Sequence, residues 1–390
     1  MSVIADRLAP QAELAPMRTA VAARLETRVV SGAEWDRTIA GFDEVCQEQL
    51  HAFASARWPS VKQEPMLFLD AGEVVGGSLM MVQALPLGVG QIAVSKWGPM
   101  LKHGTGPATA SIRDAMIETL IAEYAERRGL MLSVLPRASL LPGNPEYDRL
   151  IGRGFKRGTE LGFPNRYIVN LRLDDAEQRK SLEQKWRYHL NKSEKAGLSF
   201  EHAGPERIGE FDALYAAMTD RKRFLDHSAY ETVPPLMAIA VEALRPELFF
   251  VRHQGVVVAG ALIFKAGDRA VYLYGATNAA ALPLRAGYFL HWHIIRWLRD
   301  TTSARWYDLG GTDGFQGLHQ FKKGMVGTAG VITPVPPVAN YAAKPLPYLL
   351  GNGAFWARDI AHRTRAKIVS LLRPQARPNQ ARSHGETGPR

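Results

Sequence analysis

The sequence has a single cysteine and no apolar run long enough to cross a membrane. One thiol, Cys46, excludes an intrachain disulfide framework and any metal site built from cysteines alone. Nothing in the sequence places it beside a base, so a buried, apolar cysteine is expected. The longest apolar runs, such as residues 256–264, have the length of a strand, and residues 1–20 lack the apolar core of a signal peptide. We therefore expect a cytoplasmic protein.

Motifs for nucleotide hydrolysis and for serine hydrolases are absent as well. The glycine-rich stretch at residues 309–327 contains no Gly-Lys pair, which excludes a Walker phosphate loop. No G-x-S-x-G turn occurs, so hydrolase chemistry has no support. His291 and His293 would lie about 200° apart on their predicted helix, because each residue turns a helix by about 100°. They cannot bind one ion together, and we predict no metal site.

Acidic residues are scarce at the C-terminal end of the chain. Residues 341–390 contain nine lysines and arginines but two acidic residues, and they carry +7 of the net charge of +10. The basic character of the whole chain is therefore a poor argument for nucleic-acid binding. We predict a basic helix followed by a disordered tail here. Trp356 and Ile360 belong to a helical apolar pattern with two open interpretations: a helix lying on an anionic membrane, and a last helix that packs on the protein.

Two segments of the sequence resemble each other at a constant offset of 183 residues. Residues 67–79 and 250–262 share five identical positions, and in each the pattern predicts a strand, a glycine turn and a second strand. A strand, a helix and a further strand are predicted after each pair, which favours a duplication. These elements are predicted at residues 91–97, 107–128 and 130–136 in the first half and at 269–277, 287–300 and 305–311 in the second.

The repeated order of elements predicts the architecture. Antiparallel strands followed by a helix and another strand form a mixed sheet, so each half is expected to be an α/β (α+β) layer. The order resembles the acyltransferase core of the GNAT superfamily, which implies tandem duplicated GNAT-like domains with mixed sheets. We expect a flexible N-terminus at 1–30, a first domain at 31–175, a second, catalytic domain at 176–340, and the basic helix and tail at 341–390.

A basic segment lies between the two halves. Residues 180–197 are predicted to form one helix, which Ser181 caps and Gly197 ends in the left-handed conformation. A narrow apolar stripe runs along one face, and another face is basic. Two interpretations are open: a solvated amphipathic helix, and a surface for phosphate groups of RNA or of a nucleotide-linked substrate. The polar side chains concerned are Lys185, Arg187, His189, Lys192 and Lys195.

This basic segment also carries a family resemblance. Residues 187–197 resemble the R-x-x-[IL]-x-K-[AS]-x-K-x-G element of the Fem family, aminoacyltransferases that build peptidoglycan cross-bridges. Further segments follow in the family's order across the second half, and the similarity covers roughly residues 45–335. Related Fem-like acetyltransferase domains share the pattern. Only about forty residues separate 204 from 247, which is too short for a long helical arm, so the resemblance is to the FemX-like branch. The further matching segments are 96–101, 272–278, 287–300, 307–311 and 321–327.

The resemblance implies a catalytic site. It implies that Lys322, preceded by Phe321, stabilises the oxyanion of an acyl-transfer intermediate. It implies aminoacyl-tRNA as the donor, no further cofactor, and a UDP-linked or lipid-linked muropeptide as the acceptor. From the residues alone, Lys322 and Lys323 are a lysine pair after a glycine-rich loop that joins two strands. The remaining substrate-binding candidates are Lys185, Arg187, Lys192, Tyr274, Tyr288, Asp308, Gly310 and Gly311.

Some of these candidates have a second interpretation. Tyr274 and Tyr288, like Tyr272, suit the wall of an acyl channel, and core packing explains them equally well. Asp308 offers a carboxylate base, although an aspartate at a strand end more often orders the following turn.

Two other functions remain open. The first is an acyl-CoA N-acyltransferase acting on an amino sugar or polysaccharide precursor. Residues 284–290 keep only Arg285 and Gly287 of the acyl-CoA loop [RQ]-x-x-G-x-[GA], which argues against it, whereas a V-shaped gap between the strands at 269–277 and 306–311 would favour it. The second is a module with degenerate acyltransferase domains that binds RNA or the inner face of the membrane.

Overall fold

The computed structural model describes residues 24–222 and 229–371, which form two mixed sheets flanked by helices. The strands are β1 Glu26–Val29, β2 Lys62–Asp70, β3 Glu73–Ala84, β4 Gln91–Lys96, β5 Met100–Leu101, β6 Met131–Leu135, β7 Lys156–Arg157, β8 Asn165–Asn170, β9 Leu198–Ala203, β10 Glu247–His253, β11 Val256–Phe264, β12 Arg269–Thr277, β13 Trp306–Asp308, β14 Val331–Pro334 and β15 Ala339–Tyr341. The helices are α1 Gly32–Ile39, α2 His51–Arg57, α3 Thr109–Leu120, α4 Pro145–Gly152, α5 Asp175–Ser181, α6 Gln184–Glu194, α7 Ile208–Lys222, α8 Val233–Met237, α9 Ala281–Leu284, α10 Ala286–Thr301, α11 Gln316–Val326 and α12 Pro345–Leu371.

The two sheets have the same strand order. The first runs β1-β2-β3-β4-β6-β15-β7, and the second runs β9-β10-β11-β12-β13-β8-β14. Each sheet has one parallel pair, β4 with β6 and β12 with β13, and its other neighbours are antiparallel. Each hairpin turn has a glycine with positive φ, Gly72 in one and Gly255 in the other. The predicted mixed α/β fold with two related sheets is confirmed.

The halves exchange one strand each. Strand β8, which lies in the segment predicted as the first domain, pairs with β13 and β14 in the second sheet. Strand β15 follows the second half and pairs with β6 and β7 in the first sheet. An apolar cluster also joins the halves, where Trp35 and Leu67 of the first pack with Leu236, Phe264 and Val271 of the second. Each sheet is therefore completed by a strand from the other half.

The prediction of one continuous helix at 180–197 is wrong, because two helices, α5 and α6, cover this segment. Ser181 ends α5, where its hydroxyl donates to Gln178 O at 2.7 Å, and it does not cap a helix. The next helix, α6, begins at Gln184, because Leu182 takes an extended conformation and is buried in the core of the second half. Gly197 does adopt φ +64, in the turn after α6.

The segment predicted as a loop between two strands contains a helix instead. Helix α11 lies between β13 and β14 and buries Lys322, Met325 and Val326. Burial of Met325 and Val326 in the core of the second half outweighs the low helix propensity of the two glycines in α11. Gly324 serves the packing, since a Cβ there would lie 3.0 Å from Cδ1 of Trp186 on α6.

Candidate active site

The second sheet opens between its two parallel strands. Strand β12 pairs with β13 only over Arg269–Val271, and it continues to Thr277 after β13 has ended at Asp308. In the first sheet, β4 and β6 pair over the whole length of β4 from Ile92 to Lys96. The V-shaped gap considered in the sequence analysis is thus present in the second sheet.

A β-bulge in β12 decides which tyrosines face this gap. Leu262 pairs with Tyr274 and the next residue, Ile263, pairs with Tyr272, so Leu273 is the extra residue. Tyr272 therefore faces α10, whereas Tyr274 faces α7 and donates its hydroxyl to Ala229 O at 2.6 Å. Tyr274, a predicted substrate-binding residue, does not line the gap but packs in the core on the other side of the sheet.

An aromatic cleft of about 240 Å³ lies at the gap. Its walls come from β12, from the start of α10 and from Phe321 on α11. The rings of Tyr288 and Phe321 are 4.9 Å apart, those of His291 and Phe321 are 5.6 Å apart, and those of Tyr272 and His291 are 4.9 Å apart. Such walls fit a small acyl group. The structure thus brings Phe321 and Tyr288 together, as the prediction of a shared site requires.

Lys322 lies behind this cleft and is held by backbone oxygens. It belongs to α11, is 6% exposed, and donates from Nζ to Leu309 O at 2.5 Å and to Gly311 O. Gly310, at φ +76, makes the turn between these two carbonyl groups. Burial and the nearby Arg166 lower the pKa of Lys322 to about 8. The predicted lysine on a flexible loop is therefore a fixed, buried lysine on a helix.

His291 is a residue of the cleft that the sequence analysis considered only as a metal ligand. It is buried on α10, its Nδ1 lies 3.2 Å from the hydroxyl of Tyr307, and its ring lines the cleft. Burial, with the charge of Lys322, lowers its pKa to about 3, so the imidazole is neutral. No local sequence pattern marks this position, because α10 and α11 meet only through packing on one sheet face.

Asp308 orders the turn after β13. Its Oδ1 accepts from the backbone N–H of Gly310 at 2.9 Å, and both carboxylate oxygens accept from Arg166 Nε at 3.1 Å. Burial opposes ionisation, but Arg166 and Arg269 outweigh it and hold the pKa of Asp308 below its usual value. An ionised, paired carboxylate of this kind supports the turn rather than acting as a base, as the second interpretation proposed.

The three basic residues predicted to bind substrate on α6 have different surroundings. Lys185 lines a second, polar cleft of about 610 Å³ between α6 and α11. Arg187 instead donates to the carbonyl oxygens of Lys180, at 3.1 Å, and Leu182, and so closes the end of α5. Lys192 is exposed and lines neither cleft.

The two clefts are neighbours. Arg285, Tyr288 and Phe321 line both of them. Lys323 also lines the polar cleft, where its Nζ lies 3.6 Å from the carboxylate of Glu183. A charged chain seated in the polar cleft could therefore present its end group to the aromatic cleft. Within residues 24–222 and 229–371, no cluster of three His, Cys, Asp or Glu side chains could hold a metal ion.

Comparison with known proteins gives the class of this chain. Residues 176–323 match the family model of the acetyltransferase (GNAT) domain. The structure resembles that of FemX, with 18% identity, a TM-score of 0.66, and coverage of 84% of this chain and 100% of FemX. It also resembles L-PGS from Bacillus licheniformis, with 13% identity, a TM-score of 0.51, and coverage of 85% and 97%. A comparison with curated proteins finds no match.

A third solved structure with this fold is a conserved protein of unknown function from Bacteroides thetaiotaomicron, with 13% identity, a TM-score of 0.53, and coverage of 81% and 98%. The domain match spans both clefts and includes Phe321 and Lys322. Residues 176–323 are thus similar to the acetyltransferase (GNAT) domain, and the fold resembles that of FemX over 84% of the chain. The class of protein supported is an acyltransferase enzyme. Among the described residues, no helix is long and apolar enough to span a membrane.

Proposed function

We propose that this chain is a Fem-like aminoacyltransferase, which transfers an aminoacyl group from aminoacyl-tRNA to an amine of a peptidoglycan precursor. The observation that carries the proposal is the pair of adjoining clefts, with Lys185, Arg285 and Lys323 in the polar one and aromatic rings in the other. The 3′ end of a charged tRNA has the matching order of groups: phosphates, a stacking base and a small acyl ester. The Fem-like fold supports the same reading.

The residues suggest how the transfer proceeds. The acceptor amine attacks the ester carbonyl, a C–N bond forms, and the carbonyl oxygen becomes an oxyanion. Two of the three N–H groups of Lys322 bind backbone oxygens, which leaves one for that oxyanion. The ester C–O bond then breaks, and the proton lost by the amine passes to the leaving ribose hydroxyl. The neutral ring of His291 lines the cleft and would orient the acceptor amine by a hydrogen bond, since a pKa of about 3 makes it too weak a base to take up the proton.

The test is direct transfer. The full-length protein is incubated with a mixture of charged tRNAs and either UDP-linked or lipid-linked muropeptide. The mass of the muropeptide is then measured by mass spectrometry. We expect a gain of one aminoacyl residue. Absence of transfer from every charged tRNA to both acceptors would show that the proposal is wrong. We place the reaction in the cytoplasm, where charged tRNA and these precursors meet.

The V-shaped gap specifically favours a second candidate. A gap between parallel strands beside the start of α10 suits the pantetheine arm of an acyl-CoA, and the acceptor would then be an amino sugar or polysaccharide precursor. Arg285, with φ +58, stands at the start of that helix. Release of free CoA thiol on addition of acetyl-CoA and a panel of amino sugars, without any tRNA-dependent transfer, would establish this candidate in place of the first.

A further inference from the structure

The inner face of α12 is fixed against the first sheet. Tyr348, Leu350 and Phe355 pack against Met131 and its neighbours, on the face of the sheet opposite α3. Gly351 makes the closest approach, because a Cβ there would lie 2.3 Å from Cε of Met131. The rotation of α12 about its own axis is therefore determined, and the opposite side of the helix faces solvent.

That solvent side carries a second apolar stripe. Leu346, Leu349, Trp356 and Ile360 are 64%, 67%, 68% and 42% exposed. Their spacing of three, seven and four residues keeps them on one side of the helix. Single exposed apolar residues are common on protein surfaces, but an aligned set containing a tryptophan indicates a partner.

The stripe continues into a basic segment. The helix runs on to Leu371, and its sequence from 345 to 371 has four lysines and arginines against one aspartate. An apolar stripe containing a tryptophan, on a helix whose sequence has this excess of cations, is the pattern of a helix that lies in a membrane interface.

We propose that the outer side of α12 docks on an anionic phospholipid membrane. Leu349, Trp356 and their neighbours on the stripe enter the boundary between headgroups and acyl chains, and the excess of lysine and arginine in the sequence of α12 supplies the attraction to anionic lipid. RNA would use the cations but leave the stripe in water. A second copy of the chain would cover the stripe but bring only Asp359 as an anionic partner from its own α12. Of these three partners, the membrane is the one that satisfies both features.

The experiment is co-sedimentation of the full chain with vesicles of phosphatidylcholine, with and without phosphatidylglycerol. The wild-type chain is expected to sediment with the anionic vesicles and to be released by salt, which screens the attraction. L349E/W356E and R363E/K367E are each expected to weaken binding at least about tenfold, the first by removing apolar contact and the second by reversing charge. Each variant must keep the thermal unfolding temperature of the wild-type chain.

Two matched controls lie elsewhere on the surface. L141E changes a leucine that is 63% exposed, as the stripe leucines are, and R37E/R305E reverses two exposed charges. Both should bind vesicles as the wild-type chain does. Three outcomes overturn the proposal: no binding to anionic vesicles, binding that L349E/W356E does not weaken, or a dimer in light scattering that L349E/W356E dissociates while vesicles have no effect. Transfer to a soluble UDP-linked acceptor needs no membrane, so this test is independent of the proposed function.

Discussion

The ammonium group of Lys322 is bound by two backbone carbonyls and has no carboxylate ion pair among the described residues. Asp308, one of two aspartates whose charge acts on Lys322, is already paired with Arg166. The positive charge of Lys322 is therefore only partly compensated, and burial lowers its pKa to about 8. Under the proposed function, this fixed, under-compensated cation would stabilise the developing oxyanion, because the charge needs no reorganisation during the reaction.

Replacing Lys322 tests this role at the level of one residue. K322M is expected to lower the transfer rate about 10²- to 10³-fold, the usual effect of removing an oxyanion donor. The matched control is K323M, since Lys323 lies next to it on α11 but is exposed and lies 3.6 Å from Glu183. We expect K323M to keep the catalytic rate constant within about threefold. Equal rate constants in K322M and K323M, measured on variants with wild-type circular dichroism, would rule out the role.

The lowered pKa of Lys322 also predicts a pH dependence. The oxyanion role needs the protonated amine, so activity should fall as the pH rises through about 8. K322R should lose this alkaline limb, because a guanidinium stays protonated. The stability effect has the opposite sign: between pH 8 and 10.5 the unfolded chain binds more protons at this residue, so the group makes folding more favourable as the pH rises. Rate profiles from pH 6 to 10 check the first point, and urea unfolding checks the second.

At the scale of elements, the two clefts depend on how closely α6 and α11 approach each other. Gly324 permits the approach, with Trp186 Cδ1 only 3.0 Å from the place of a Cβ. Trp186 in turn contacts the ring of Tyr288 at 5.0 Å and that of Phe321 at 6.1 Å, so the helix pair positions the aromatic wall. The packing of α6 against α11 thus determines the shape of the site.

A larger residue at Gly324 should separate the helices. G324L is expected to lower the free energy of unfolding by about 1–3 kcal/mol through overpacking, and to raise the KM for the donor because the polar cleft changes shape. The control is G209A on α7, where nothing lies within 4 Å of the added Cβ and which lines neither cleft. G209A should leave KM unchanged and stabilise the chain by up to about 1 kcal/mol. Urea unfolding and steady-state kinetics on both variants measure these effects, and an unchanged KM in G324L would count against the coupling.

At the scale of the whole molecule, the exchange of β8 and β15 ties the halves together. The link is polar as well as apolar, since Ser133 on β6 donates to Asn340 on β15 at 2.8 Å, with both side chains fully buried. Unfolding either sheet removes a strand that the other half contributes. The halves are therefore expected to unfold as one cooperative unit, although each has a core of its own.

Calorimetry checks this cooperativity. The full chain should show one transition with a van't Hoff enthalpy equal to the calorimetric enthalpy. N340A, which leaves Ser133 without its buried partner, should destabilise the chain by about 1–3 kcal/mol and still give one transition. The control is R305E, an exposed position, which should leave the transition temperature unchanged. Two separable transitions in the wild-type chain would contradict the expectation.

The sequence by itself determined the two central hairpins with their glycine turns, the strands that follow each hairpin, and the repeat that relates the halves. These follow from local rules: alternation of side chains along a strand, and the freedom of Gly72 and Gly255 to take positive φ. The order of motifs also assigns Phe321 and Lys322 to one site, and that assignment stays a prediction.

Only the tertiary structure decided the rest. The bulge at Leu273 turns Tyr274 away from the cleft. Packing on the second sheet stabilises the helix that contains Lys322. Long-range strand pairing exchanges β8 and β15 between the halves. Each of these outcomes depends on contacts between residues far apart in the chain, and a local sequence pattern contains no record of such contacts.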